Sequence, residues 1–220
     1  MLGLFVKAPR PGQVKTRLAA AVSNHWAAAV AEAFLLDTIQ RLAKVAAPCS
    51  LYFTPPDAGP YFESLAAHRF TLAPQGEGDL GCRMTAYFAE QFRTGATRVM
   101  LVGSDSPTLP IAYIQDGFAM LDSHDVVLGP ATDGGYYLVG CAREAPAIFA
   151  NIPWGSSQVL RDTVGAIAGA GCRLALLPPW YDVDTLDDWR MLQGHVAALR
   201  QAGLDPGIPH TERLLQEPVP

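Results

Sequence analysis

The segment "FVKAPRPGQVKTRL", residues 5–18, joins a predicted strand to a predicted helix through a basic turn. The apolar run at 2–6 predicts a strand, a Pro/Gly turn follows it, and a helix begins after the turn. Four cationic side chains belong to this segment: Lys7, Arg10, Lys15 and Arg17. Glu32 is the first carboxylate of the chain, so the opening segment is electropositive although the formal net charge is −5.

The basic turn is not a Walker A loop. The pair Lys15-Thr16 ends it, but Val14 precedes the lysine and Pro9 occupies the first glycine position. The residue types nevertheless suit a polyphosphate, because lysine supplies a mobile charge, arginine supplies a planar fork, and Gly12 lets the backbone come close. The alternative interpretation is a solvated basic turn, since cations are common in loops.

Short apolar runs alternate with helical windows along the chain. The runs predict strands at 2–6, 50–54, 69–73, 98–103, 125–130, 136–140 and 172–177. The windows predict a long helix that ends before Pro48 and further helices at about 59–67, 81–94, 110–121, 156–169 and 185–201. Such alternation predicts an α/β fold, a three-layer α/β/α sandwich with a mainly parallel central sheet that binds ligands at the carboxyl ends of its strands.

Length and composition favour one domain. Half of the 220 residues are apolar, which is enough for a continuous core. We expect a single nucleotide-binding domain over 1–203. The Pro-rich segment 204–220 is either a surface tail or a strap that reaches a partner subunit in a homodimer.

Several classes of protein are disfavoured. The apolar stretches are far shorter than the roughly 20 residues of a membrane span, and the start of the chain lacks a signal peptide, so we expect a cytoplasmic protein. The four cysteines lie more than 30 residues apart, which favours reduced thiols. Without a basic run interleaved with aromatics we expect no nucleic-acid binding. Neither GxSxG nor HExxH occurs, so a serine hydrolase or a zinc enzyme is not supported.

Two acidic segments follow predicted strands. In "LVGSDSPTLP" (101–110) Asp105 lies just beyond a strand end, where it could either close an Asx-turn or hold a cation such as Mg²⁺. In "WYDVDTLDDW" (180–189) Thr185 is an expected N-cap with Asp188 at N3. That leaves Asp182 and Asp184 without a structural role, and one of them could bind the same cation as Asp105.

Two further segments have both structural and functional interpretations. "GPATDGGYYLVG" (129–140) either forms a hairpin at Asp133-Gly134 or lets a substrate lie against Gly134 and Gly135 while Asp133 accepts from a hydroxyl. "PWGSSQVL" (153–160) predicts a helix with Ser156 or Ser157 as N-cap, and its free N–H groups could also meet an anion.

These motifs, in this order, resemble the nucleotide-diphospho-sugar transferase superfamily, which has the GT-A-like fold. The resemblance rests on "FVKAPRPGQVKTRL", "QGEGDLGCRM" (75–84), "GSDSPTLP", "GPATDGGYYLVG", "WGSSQVL" and "DVDTLDDW". The sequence is most similar to bacterial glycosyltransferases without an assigned substrate, one branch of which is linked to arsenosugar biosynthesis. It also looks like phospholactate and molybdenum-cofactor guanylyltransferases.

The resemblance implies a role for each motif. Phosphate contacts fall to Lys7, Arg10, Lys15 and Arg17, and the metal, Mg²⁺ or Mn²⁺, falls to Asp105 and Asp184. The segment Asp133 to Gly135 lies by the transferred or accepting group, with Asp133 the candidate general base. Glu77, Asp79 and Arg83 lie near the base or the acceptor, or else form an ordinary polar loop.

The function expected from this resemblance is a metal-dependent glycosyl transfer from a nucleotide-diphospho-sugar to a small-molecule acceptor. Two alternatives stay open. One is a nucleotidyltransferase that uses a nucleoside triphosphate and releases pyrophosphate. The other is a nucleotide-binding module without catalysis, since a fold alone does not determine an activity.

Overall fold

A seven-stranded sheet forms the centre of the protein in the computed structural model, which describes residues 1–66, 68–144 and 147–220. The strands are β1 (Leu2–Lys7), β2 (Cys49–Thr54), β3 (Phe70–Pro74), β4 (Arg98–Val102), β5 (Val126–Pro130), β6 (Tyr136–Ala142) and β7 (Leu174–Leu176). Their spatial order is β3-β2-β1-β4-β6-β5-β7, and only β6 runs antiparallel to its neighbours in these residues. The mainly parallel sheet predicted from the sequence is confirmed.

Helices cover both faces of the sheet. They are α1 (Thr16–Ala21), α2 (Asn24–Leu42), α3 (Gly59–Ala66), α4 (Leu80–Arg93), α5 (Ile111–Met120), α6 (Val159–Gly169), α7 (Leu186–Gln201) and α8 (Pro209–Leu215). The six predicted helical windows correspond to α2 to α7, although residue 67 of the window 59–67 lies outside the described residues. A helix was expected after the basic turn, but the sequence interpretation did not separate the six-residue α1 from α2, and it missed the seven-residue α8.

The apolar core has two layers, one on each face of the sheet. Side chains of α2, α3 and α5 pack on one face, and Phe62 and Ile114 there are fully buried. Side chains of α4 and α6 pack on the other face, where Phe88 and Ile167 lie. This arrangement is the predicted α/β/α sandwich, and it fixes the positions of all loops at the sheet edges.

A third apolar cluster lies outside the sandwich, between α1, α2, α7 and the C-terminal segment. Trp189 is fully buried at its centre, packed edge-on against Trp26 at a centroid distance of 5.0 Å. Ile208 closes the cluster from the C-terminal side. The cluster therefore attaches the end of the chain to the helix that follows the basic turn.

The segment 204–220 contains a helix that is packed on the domain. The fully buried Asp37 of α2 accepts hydrogen bonds from the backbone N–H groups of His210 and Thr211, at 3.0 and 2.8 Å. These are N–H groups of the first turn of α8, which have no partner within the helix. The carboxylate thus caps α8 and holds it against α2.

The strand order places a crevice at the carboxyl edge of the sheet. β1 lies between β2 and β4, so the chain leaves β1 towards one side and enters β4 on the other. Loops that diverge at such a switch point leave room for a ligand. Because β6 is antiparallel, the 131–135 loop between β5 and β6 also lies at this edge, as does the segment after β7.

Two simple expectations can be compared with the fold. In the described part of the chain none of the helices is both long and apolar enough to cross a bilayer. None of the four cysteines forms a disulfide, as their spacing predicts.

Candidate functional site

A buried lysine lies at the crevice. Lys15 precedes α1 with φ 46° and ψ 45°, a left-handed conformation that costs a non-glycine residue roughly 1–2 kcal/mol. Its side chain is only 4% exposed, and the Nζ atom lies 5.4 Å from the centre of the Phe34 ring. Strain at such a residue is typical of a functional position.

The Lys15 ammonium group joins two distant carboxylates. Nζ donates to Asp105 Oδ1 and, at 2.9 Å, to Asp184 Oδ1. Burial lowers the pKa of Lys15, but the charges of Asp105 and Asp184 together outweigh it and hold the pKa above its ordinary value. The ammonium is therefore charged, and the three side chains form one ionic cluster at the ends of β1, β4 and β7.

The two carboxylates converge on a single point, which suits a cation. They are 52% and 38% exposed, so each still reaches the crevice. Mg²⁺ commonly takes one or two carboxylates and completes its shell with waters and substrate phosphates. Among the described residues, no three His, Cys, Asp or Glu side chains group into a metal centre of their own. Asp105 and Asp184 could hold a divalent ion whose remaining ligands come from water and a substrate.

Asp182 is a further carboxylate of the site. The residues of its segment alone did not show whether Asp182 or Asp184 would bind the cation. Its oxygen accepts a hydrogen bond from Ser106 Oγ, and the backbone N–H of Val183 donates to the Asp105 carbonyl at 3.0 Å. Burial, supported by the nearby charges of Asp105 and Asp133, raises the pKa of Asp182 to about 7, against the opposing effects of Ser106 and Lys15. The signal in the sequence is the Asp-Val-Asp alternation, in which Val183 is fully buried.

Two adjoining cavities of about 270 and 450 Å³ form the cleft at this edge. Leu80, Tyr136 and Asp182 line both cavities. The smaller one has largely apolar walls, and Asp105 and Ser106 lie on it. The larger one is more polar, and it brings together Arg17, Asp133, Gly135, Ser156, Ser157, Asp182 and Asp184. The cleft is thus continuous past the aspartates, with an apolar end and a polar end.

The Asp133 loop is a hairpin connection that also lines the cleft. Asp133 Oδ1 accepts from the Gly135 N–H at 2.8 Å, which leaves Oδ2 free of a partner among the described residues. Gly134 has φ +94°, and a Cβ atom there would lie 2.3 Å from the Ser157 carbonyl oxygen. Close packing against the segment before α6 therefore requires glycine at 134. The structural and the functional interpretations of this motif are compatible.

The prediction that Ser156 or Ser157 caps α6 is wrong. Gln158 is the N-cap, with no side-chain hydrogen bond to the helix. Ser156 Oγ instead accepts from the Gln158 N–H at 3.2 Å, in a turn that precedes the helix. Both serines line the larger cavity of the cleft, and the first turn of the helix is held by the Gly134 carbonyl, which accepts from the Leu160 N–H at 2.8 Å.

The four basic residues of the opening turn do not gather in one place. Arg17 lines the larger cavity, and Lys15 is held by the aspartates. Lys7 is exposed at the end of β1, and Arg10 forms an ion pair with Asp57 at 3.0 Å, on the β2 side. Gly12 has φ +77°, which the turn needs. The turn therefore spreads its charges over the edge of the sheet.

The side chains in and next to the loop before α4 form hydrogen bonds mostly within this segment. Arg83 donates to the Gly78 carbonyl at 3.0 Å and to Gln75 Oε1 at 3.2 Å. Asp79 is the N-cap of α4 and accepts from the Cys82 N–H at 2.8 Å. Glu77 is exposed. Asp79 and Arg83 thus have structural partners, and neither of them lines the two cavities of the cleft.

A separate cavity of about 560 Å³ lies at the opposite, amino-terminal edge of the sheet, beside Met1 and Arg98. Its lining in the described residues contains no carboxylate. The convergent charged groups that mark a binding site therefore lie at the crevice and not at this cavity.

Comparison with known proteins agrees with the fold. A crystal structure of a candidate nucleotide-diphospho-sugar transferase from Desulfovibrio desulfuricans G20 superposes with a TM-score of 0.86 at 33% identity, over 98% of this chain and 96% of that one. An inositol-1-phosphate CTP transferase from T. maritima matches at TM-score 0.56 and 13% identity, over 92% and 97%. A cytidylyltransferase from Leptospira borgpetersenii serovar Hardjo-bovis matches at 0.58 and 12%, over 97% and 92%.

The sequence comparisons determine the family. No curated protein sequence matches the chain significantly. The model of a bacterial family, described as "Uncharacterized protein conserved in bacteria (DUF2064)", matches residues 35–156, which include Asp105 and Asp133. With the nucleotide-diphospho-sugar transferase fold and this match, the chain belongs to the DUF2064 family.

Proposed function

We propose that the protein is a transferase that uses a nucleotide-activated substrate, and that its reaction is glycosyl transfer from a nucleotide-diphospho-sugar with Mg²⁺ or Mn²⁺. One observation carries the proposal: the carboxylates of Asp105 and Asp184 converge on one cation, the Lys15 ammonium group, beside a cleft at the switch point of the sheet. The relative of 33% identity, named as a candidate nucleotide-diphospho-sugar transferase, supports the choice of donor.

The residues of the cleft have complementary tasks in this reaction. A divalent ion held by Asp105 and Asp184 would supply positive charge against the charge that develops on a leaving diphosphate. Arg17 offers a planar fork to the same diphosphate, since it lines the larger cavity beside Asp184. Interactions that strengthen as charge develops account for most catalysis of this kind.

The acceptor side of the cleft is the Asp133 loop. Asp133 uses one carboxylate oxygen to accept from Gly135 and has its second oxygen available for a substrate hydroxyl. A carboxylate in that position can orient the hydroxyl and take its proton during attack on the sugar. The bare backbone at Gly135 leaves room for the acceptor against the loop.

The test is product analysis on a panel of nucleotide-diphospho-sugars with Mg²⁺ or Mn²⁺, with water or small hydroxylated compounds as acceptors. We expect release of a nucleoside diphosphate, detected by chromatography, and a loss of about a hundredfold in rate for Asp105→Asn. Asp187→Asn is the matched control, because Asp187 is exposed on α7 and bonds only Arg190 in the described structure. Its rate should equal that of the wild type.

Other outcomes would replace the proposal. Pyrophosphate release from a nucleoside triphosphate would identify a nucleotidyltransferase instead. Ligand binding without turnover on either panel, with both aspartates intact, would identify a nucleotide-binding module.

A further inference from the structure

Lys15 holds the place that a divalent ion would need. Its ammonium group donates to one oxygen of Asp105 and one oxygen of Asp184, and its side chain is 96% buried beneath them. The carboxylate pair is therefore already satisfied by a charge of the chain itself. An acidic pair alone would not define a cation site, but here a cation of the protein occupies it.

The ammonium and a divalent ion cannot share this position. Both require the same two oxygens at bonding distance, and two cations a few ångströms apart repel strongly inside a protein. The lysine can leave, because its side chain has four rotatable bonds and, among the described residues, its ammonium group donates hydrogen bonds only to these carboxylates. The carboxylates are the fixed part, since Asp184 adjoins a capped helix and the Asp105 carbonyl accepts from Val183.

We infer that Lys15 competes with the divalent cation for Asp105 and Asp184, so that the ion binds only when the ammonium group moves out of the carboxylate pair. The inference rests on the proposed function in treating this pair as the cation site. It assigns the lysine a gating role before a divalent ion binds. A protein with such a gate has weak affinity for free metal, because each ion that binds must displace a buried ion pair.

The left-handed backbone at Lys15 fits this role. With φ 46° the residue lies at a strained junction between the turn and α1, and from there its side chain reaches both aspartates. Lys7, at the end of β1, is exposed and makes no hydrogen bond to these carboxylates in the described structure. The gate is therefore a property of this one position.

The experiment measures Mn²⁺ binding to the full chain without any nucleotide, by calorimetry and by the electron paramagnetic resonance signal of free Mn²⁺. Lys15→Met removes the charge and keeps an apolar stem over Phe34. We expect its dissociation constant for Mn²⁺ to fall at least tenfold below that of the wild type, which is about 1.4 kcal/mol. Lys44→Met is the matched control, because Lys44 is exposed after α2, and it should bind Mn²⁺ as the wild type does.

Two further variants make the result decisive. Lys15→Gln replaces the ammonium with a neutral polar group, so it should reproduce the gain even if Lys15→Met is poorly folded in thermal melting. Lys15→Met combined with Asp105→Asn should lose the gain, which places the bound ion on the carboxylate pair. If folded Lys15→Met and Lys15→Gln bind Mn²⁺ no tighter than the wild type, the inference is wrong.

Failure of the inference can be told apart from failure of the proposed function. Equal Mn²⁺ affinities together with nucleoside diphosphate release would overturn the gate and keep the transferase. A tenfold gain in Mn²⁺ affinity without turnover on any nucleotide-diphospho-sugar would keep the gate and overturn the proposed reaction.

Discussion

Individual residues of the site were predictable where their role is local. The capping of α7 by Thr185 and Asp188 follows from a spacing of three residues, and the structure confirms both hydrogen bonds. The contact between Lys15 and Asp184 spans 169 positions, so no local pattern contains it. The same limit applies to Asp182, whose raised pKa comes from burial that only the packed chain creates.

Gly134 provides a test of the close packing between its loop and Ser157. A Cβ atom at this position would lie 2.3 Å from the Ser157 carbonyl oxygen, and φ is +94°. We expect Gly134→Ala to lower the free energy of unfolding by about 2–3 kcal/mol, since backbone strain and overpacking add. Urea denaturation measures the loss.

Gly155 offers the control for that substitution. It has φ +83°, but nothing lies within 4 Å of the added atom. Gly155→Ala should therefore cost only the conformational part, about 1 kcal/mol. Equal losses in the two variants would show that the Ser157 contact does not restrict Gly134.

For strands and helices, the strength of the apolar pattern determined which elements could be predicted from the sequence. All seven strands were found because each is a continuous apolar run of a parallel sheet or its hairpin. The helix α8 was missed and α1 was not separated from α2, because six or seven residues give less than two turns of periodicity and tertiary contacts stabilise them. The start of α6 was misplaced because its first turn has no side-chain cap to mark it.

The cap of α7 gives a prediction for an element that supports the site. Thr185 Oγ1 accepts from the Asp188 N–H at 3.2 Å, and the Asp188 carboxylate accepts from the Thr185 N–H at 2.8 Å. Loss of this box in Thr185→Ala should lower the free energy of unfolding by about 1 kcal/mol. It should also weaken Mn²⁺ binding to the Lys15→Met protein, because Asp184 immediately precedes the cap.

Thr97→Ala is the comparison for Thr185→Ala. Thr97 is exposed between α4 and β4, and its side chain makes no hydrogen bond in the described structure. Its substitution should change the free energy of unfolding by less than about 0.5 kcal/mol. If chemical denaturation gave the same change for both threonines, the capping box would contribute nothing measurable.

The architecture predicted for the whole molecule is confirmed, but the order of the strands in the sheet could not be predicted from the sequence. Alternating strands and helices indicated the sandwich, and among the described residues β6, beside the central strand β4, is the one antiparallel strand. Sheet order depends on which crossover each helix makes, and the apolar pattern of a strand is the same in any order. The crevice could be expected at the carboxyl edge, whereas the residues that meet there could not.

Asp37 tests how the end of the chain is attached. Its buried carboxylate accepts from the His210 and Thr211 N–H groups, so Asp37→Ala leaves both without a partner and releases α8 from α2. We expect a loss of about 2–3 kcal/mol in the free energy of unfolding. Faster amide hydrogen exchange in residues 209–215 should accompany it.

An exposed aspartate of the same chain calibrates this loss. Asp116 lies on the outer side of α5, with no ion pair in the described residues. Asp116→Ala should leave both the unfolding free energy and the exchange of α8 unchanged. A comparable loss in the two variants would mean that α8 is not held by Asp37.

Because Lys15 is buried, its reactivity towards an acylating reagent reports whether its amine has moved into solvent. The sequence contains three lysines, at 7, 15 and 44, and the first and last are exposed. An acylating reagent should therefore modify Lys7 and Lys44 within minutes and spare Lys15, which peptide mass spectrometry resolves as separate fragments. If acylation of Lys15 begins only when Mn²⁺ is added, the amine has moved into solvent. The extent of acylation then gives the fraction of molecules in which it has moved.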